Sequence, residues 1–131
     1  MTRYMPIFAA TLITLCATSV AQAYNSEQFG SIRNGQKECP KCDLAGADLR
    51  GADLTNVNMA GADLTGADLS RARLDGAKLQ GATFKSARLD EVDLTMVDLS
   101  DANLDKAWCG ESTKLAQGAK WSCIGVVFQR K

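Results

Sequence analysis

The sequence predicts an all-β fold: a four-sided β-helix of about three coils, with a short N-terminal capping helix. Three observations predict it. Leucine recurs every five residues, at 44, 49, 54, 64, 69, 74, 79, 89, 94, 99 and 104, and Met59 and Phe84 fill the two remaining slots. Two residues before each centre stands a small or β-branched side chain: alanine at 47, 52, 62, 67, 72, 77, 82, 87 and 102, valine at 57, 92 and 97, and Cys42. Glycine recurs between units, at 46, 51, 61, 66, 76 and 81.

A five-residue period fits neither standard element. On a helix, at about 100° per residue, successive leucines would advance by about 140° and smear over every face. On a flat strand they would point to alternate sides. Asp and Gly are also poor in helix interiors and in strands. The leucines share an interior only if the chain turns a corner every five residues. Ala-Asp-Leu is then a short strand with Ala and Leu inward and Asp outward. The next two residues make the corner, where glycine supplies permissive dihedrals. Four corners close a coil of twenty residues, and each coil hydrogen-bonds to the next at about 4.8 Å.

Ala47-Asp48-Leu49-Arg50-Gly51 and Ala52-Asp53-Leu54-Thr55-Asn56 carry a resemblance to the pentapeptide-repeat family, whose unit is A(D/N)LXX. The thirteen tandem units cover about half of the chain. The resemblance implies a right-handed quadrilateral β-helix. From Met96 onward the corners lose glycine, and after Leu104 the pattern decays.

Adding twenty predicts the inner columns: Leu44, Leu64, Phe84 and Leu104; Leu49, Leu69 and Leu89; Leu54, Leu74 and Leu94; Met59, Leu79 and Leu99. The open ends of a solenoid need caps. Asn25 to Arg33 reads as a helix, with Asn25 as N-cap, Gln28 three residues on and Asn34-Gly35 as the stop. Phe29 and Ile32 are expected to plug the first coil, and Trp108 and Trp121 to act as lids at the other end. The domain plan is a signal peptide over 1–23, an N-terminal cap over 24–41, the solenoid over 42–107 and a C-terminal cap or tail over 108–131.

Arg3, an apolar run from Met5 to Val20 and Ala21-Gln22-Ala23 form an n-region, an h-region and a small-x-small site. Cleavage is expected after Ala23, with a periplasmic or secreted product that makes no stable membrane insertion. The alternative is an anchor formed by residues 5–20. Leu15 stands before Cys16 where a lipoprotein site calls for a small residue, so Cys16 belongs to the discarded segment.

Four cysteines then remain, Cys39, Cys42, Cys109 and Cys123, an even number that suggests two disulfides in an exported domain. Cys42 and Cys109 should lie over about 14 Å apart, beyond the limit of about 7 Å for a disulfide. Cys39–Cys42 and Cys109–Cys123 are the predicted pairs, one at each end. Cys39-Pro40-Lys41-Cys42 also reads as a redox motif, without the βαβ context such a motif has, or as half a metal site whose second pair is out of reach.

The chain has 15 basic and 15 acidic residues and no histidine. No chain-wide positive field for nucleic acid exists, and His-dependent catalysis and metal sites are excluded. No catalytic residue, cofactor or metal is expected, and no nucleic-acid partner. The residue between Ala and Leu faces outward: Asp43, Asp48, Asp53, Asn58, Asp63 and Asp68, then Arg73, Lys78 and Arg88. Stacking would form charge ladders at Asp53, Arg73 and Asp93 and at Asn58, Lys78 and Asp98. Asp48, Asp53, Asp63 and Asp68 are the surface-binding candidates. The functional expectation is a non-catalytic exported scaffold that binds a protein or envelope component, with a homodimer through the solenoid ends left open. Two alternatives stand beside it. Residues 43–105 carry twelve acids against six bases, and some proteins the chain resembles are acidic mimics of duplex DNA that bind DNA gyrase. Thiol-disulfide chemistry at Cys39 and Cys42 is the other.

Overall fold

The computed structural model describes residues 26–131. The expected export segment, its cleavage site, Cys16 and the proposed N-cap Asn25 lie outside the described residues. The helix α1 spans Ser26–Arg33. It stops where Gly35, at φ 86°, lets the chain reverse. Gln36 N–H donates to the Ser31 carbonyl and Gly35 N–H to the Ile32 carbonyl, both at 3.0 Å, which satisfies the last turn. Ile32 is buried in the core and Phe29 packs against it, so α1 closes the first coil as the sequence predicts. Gln28 takes a further part: its Oε1 accepts the Asp43 N–H at 2.9 Å, covering a donor at the open edge.

Beyond α1 the backbone forms a β-helix solenoid. Parallel bridges join residues twenty apart, from Glu38 with Asn58 to Arg88 with Trp108. Leu44 N–H donates to the Asp63 carbonyl and Asp63 N–H to the Cys42 carbonyl, each at 2.8 Å, and the pattern recurs from coil to coil. The ladder reaches past both ends of the range read from the sequence. Cys39 and Cys109 are buried in leucine slots, as small hydrophobes that continue the five-residue count.

The corners are hydrogen-bonded β-turns. Ala47 N–H donates to the Leu44 carbonyl at 3.0 Å, and the same bond recurs every five residues as far as Ala107. The third turn residue has positive φ, at glycine in six solenoid corners and at Lys41, Asn56, Arg71, Ser86, Glu91, Asp101 and Lys106 in others. That is the type II pattern. Met96 breaks it: the residue does not adopt positive φ and is 75% exposed.

The core follows the predicted columns. Leu44, Leu64, Phe84 and Leu104 are each 0% exposed, and among the described residues no polar or charged side chain is buried. Three inward positions differ. Ala52, Val97 and Leu99 are only partly buried, because each lies at an end of the stack where no regular coil covers it.

After Cys109 the register slips. β1, Asp93–Leu94, pairs in parallel with β2, Lys114–Leu115, through Asp93 with Lys114 and Leu94 with Leu115, an offset one residue longer than elsewhere. Thr113 holds the detour, donating from Oγ1 to the Leu89 carbonyl at 2.8 Å and accepting from Gly110 N–H at 3.0 Å. β3, Trp121–Ile124, and β4, Val127–Arg130, form an antiparallel hairpin. The hairpin closes one edge: Phe128 N–H donates to the Ala107 carbonyl and Cys109 N–H to the Val126 carbonyl, both at 2.9 Å. Trp121 is a lid as predicted, 8% exposed beside the buried Phe128. Trp108 is not. It occupies the outward position between Ala107 and Cys109 and is 48% exposed. Among the described residues, no helix is long and apolar enough to cross a membrane.

Candidate functional site

The coil interior is filled with side chains, so the outward residues and the two ends are what the molecule presents. The sequence-derived candidates do not gather on one face. Asp48 and Asp68 are bridged on one side, Asp63 stacks on Asp43 on another, and Asp53 stacks on Arg73 on a third.

Each of these carboxylates also belongs to its own corner. Asp63 Oδ1 accepts the Thr65 N–H at 2.9 Å, Asp68 Oδ1 the Ser70 N–H at 3.0 Å and Asp53 Oδ1 the Thr55 N–H at 3.1 Å. Asp48, Asp93 and Asp98 do the same, and so do Asn58 and Asn103 through their amide oxygens. These are Asx turns, in which a short side chain caps the backbone two residues on. The outward carboxylates therefore serve the corner before they serve any ligand.

Part of the charge is also neutralised on the spot. Arg50 forks onto Asp48, with Nε 2.8 Å from Oδ1 and Nη2 2.7 Å from Oδ2. These bonds, with the Arg50 backbone N–H, hold the Asp48 carboxyl down at about 2. Arg71 likewise forks onto Glu91 at 3.1 and 3.0 Å and lowers its pKa. Arg88 meets Asp90 at 3.1 Å. These groups are exposed, Asp90 partly so, and such pairs contribute little. The predicted ladders form only in part. Arg73 lies 4.0 Å from Asp53, but Asp93 turns to Lys114, at 3.3 Å. Asp98 is held by Ser100 and Gln80, and among the described residues no ion pair joins it to Lys78.

At the N-terminal end Cys39 and Cys42 are paired, with Cα atoms 5.5 Å apart. Cys42 is 1% exposed and its Sγ sits against the Cys39 carbonyl, whereas a reactive thiol needs access. At the other end Cys109 and Cys123 are paired, with Cα atoms 6.1 Å apart, tying the last coil to β3. Among the described residues, no group of three or more Cys, Asp or Glu could hold a metal ion.

The sequence reading missed an apolar cleft at the C-terminal end, between Val97 and Leu99 of the last coil and Leu115 and Trp121 of the segment beyond. The loss of glycine at Met96 was the signal nearest to it.

The family model for pentapeptide repeats matches residues 41–71 and 67–105, in 8 copies. Solved structures similar to the chain include a pentapeptide repeat protein (Rfr23) from the cyanobacterium Cyanothece 51142, 27% identical, with a TM-score of 0.39. That match covers 60% of this chain and 60% of the Cyanothece protein's length. A pentapeptide repeat protein from Nostoc Pcc 7120 is 24% identical over 73% of this chain and 88% of its own, with a TM-score of 0.35. One from the Arabidopsis thaliana thylakoid lumen is 27% identical over 57% of this chain and 58% of its own, also with a TM-score of 0.35. No curated protein matches the sequence significantly.

Proposed function

Because this chain belongs to the pentapeptide-repeat family, we propose that it is a non-catalytic binding module of an extracytoplasmic compartment, recognising a protein or envelope component through its outer surface. The observation that carries this reading is the filled interior. Leucine columns occupy the coil, and its polar side chains lie outside it. A rigid rod with a solid core can offer only shape and surface chemistry. The coil is taken as right-handed, as the family resemblance implies, and of just over three turns, from thirteen units at four to a coil.

Two features support export. Residues 1–23 read as a signal segment, and the four remaining cysteines sit in two bonded pairs, the arrangement that persists in oxidising compartments. The excess of acids over bases on residues 43–105 favours a second reading, mimicry of duplex DNA. It ranks lower because the acids are held in corner turns and partly paired with arginines.

The test is the intact mass of protein recovered from the envelope fraction without reductant. A chain that starts at Tyr24 and lacks four hydrogens supports the reading. A full-length reduced chain from the cytosol overturns export and returns duplex mimicry to first place, to be checked by gyrase supercoiling. Cross-linking from exposed positions then reports the partner. Here Asp→Asn at 48 and 68 is the cleaner surface variant, since charge reversal would also remove the corner bonds.

A further inference from the structure

The side formed by residues 97–99 is the least finished in the solenoid. It stacks on 77–79 through the bridge of Lys78 with Asp98. Yet Leu79 N–H stands 3.3 Å from the Asp98 carbonyl, while its counterparts from Leu44 to Leu69 lie at 2.7–2.9 Å. The turn that enters this side is also long, 3.4 Å from Val97 N–H to the Leu94 carbonyl. Among the described residues, no backbone hydrogen bond reaches the Leu99 N–H. A strand edge therefore stays open.

The chain passes over this edge without pairing to it. Ala116 to Ala119 make a turn, with Gly118 at φ 78°, and Trp121 starts the hairpin. Between that segment and the coil lies a cleft of about 220 Å³, walled by Leu94, Val97, Leu99, Leu115, Ala119 and Trp121. Small-molecule sites usually exceed about 300 Å³, whereas a cavity of about 150 Å³ holds a benzene ring. The space suits one apolar side chain.

One cation lines the cleft and two more stand on residues next to its wall. Lys120 lines the cleft, and Lys131 N–H donates to the Lys120 carbonyl at 3.0 Å, bringing the two residues together. The Arg130 guanidinium stands 5.5 Å from the Trp121 ring. Lys120, Arg130 and Lys131 make no ion pair among the described residues, unlike Arg50, Arg71 and Arg88 on the solenoid.

We propose that this cleft docks an extended acidic segment of a partner protein. One leucine or phenylalanine side chain fills the slot, the flanking carboxylates meet Lys120, Arg130 and Lys131, and the partner backbone pairs with the open edge at Leu99. An apolar anchor in a pocket supplies affinity, strand addition fixes register and charge selects the partner. The proposal rests on the reading of the chain as a binding module and moves recognition from the acidic faces to the C-terminal end.

The probe is a labelled peptide with Asp and Glu around a central Leu, titrated into the oxidised protein by anisotropy and by amide NMR. Binding is expected to shift the amides of 97–99 and 115–121. Replacing the peptide's Leu by Ala is expected to weaken it about tenfold. Lys120→Glu should do the same. Ala119→Leu fills the cleft from its own wall and should abolish binding, with an unchanged circular dichroism spectrum. Equal binding of the Leu and Ala peptides overturns the proposal, as does full binding to Ala119→Leu. So does the absence of amide shifts at about 1 mM with both Leu- and Phe-centred peptides. A dimer in sedimentation that Ala119→Leu dissolves gives the cleft to a second copy and also overturns it. If the partner found by cross-linking is still captured by both variants, the docking site is wrong and the binding-module reading stands.

Discussion

Asp63 and Asn58 occupy equivalent outward positions and make the same corner bond, to Thr65 N–H and Ala60 N–H. An amide oxygen thus makes the bond as a carboxylate oxygen does. Asp63→Asn should therefore leave stability unchanged, and Asp63→Ala should lower it by about 1 kcal/mol, the worth of one hydrogen bond. Urea titration of the two variants separates the cases. The inward Ala and Leu were legible because their spacing alone dictates burial. The role of Asp was not read, because an outward carboxylate looks the same in sequence whether it caps a turn or waits for a ligand. Corner glycines differ among themselves too. At Gly51, with φ 63°, a methyl group would meet open space, so Gly51→Ala should cost about 1–2 kcal/mol for the backbone alone. At Gly76, with φ 68°, the added Cβ would collide with Asn56 Oδ1 from the coil before. Gly76→Ala should cost more, and removing the obstacle with Asn56→Gly should recover the difference in a double-mutant cycle.

At the scale of elements, the ends are tied with unequal strength. Cys109–Cys123 closes a loop with a sequence separation of 14 and fastens the hairpin over the last coil. A loop of that length contributes about 3 kcal/mol on chain-entropy grounds. Cys39–Cys42, with a separation of 3, restrains far less chain. Cys123→Ser should therefore lower the melting temperature more than Cys39→Ser, and hydrogen exchange should localise the loss to β3 and β4. The capping helix was legible from Asn34-Gly35 and from the apolar pair Phe29 and Ile32. The separate fates of Trp108 and Trp121 were not. Trp108 falls on the outward position of the unit that Ala107 begins, whereas Trp121 is buried by a hairpin that no repeat predicts. The cleft was hidden for the same reason, since the slip between β1 and β2 comes from the Thr113 detour, which has no periodic signature.

For the whole molecule, the lowered carboxyls contribute to the response to acid. Asp48, held down by Arg50, and Asp53 and Asp98, held down by their Thr55 and Ser100 partners, all ionise below the usual carboxylate range. A group whose pKa is depressed on folding adds stability that is full above its unfolded value, near 3.8, and is lost as pH falls toward the folded value, about 2 for Asp48. Urea midpoints should hold steady from neutral pH down to about 5 and fall between about 4 and 2. A flat profile there would mean the corner carboxylates ionise alike in both states. The twenty-residue ladder has one more consequence, for heredity. Loss of a single codon within the solenoid throws every later leucine out of its column, and the damage grows with the length of chain that follows. Duplication of a whole coil leaves each column intact and merely lengthens the rod. Lineages of such genes should therefore drift in length by complete coils, with partial units surviving only near the caps.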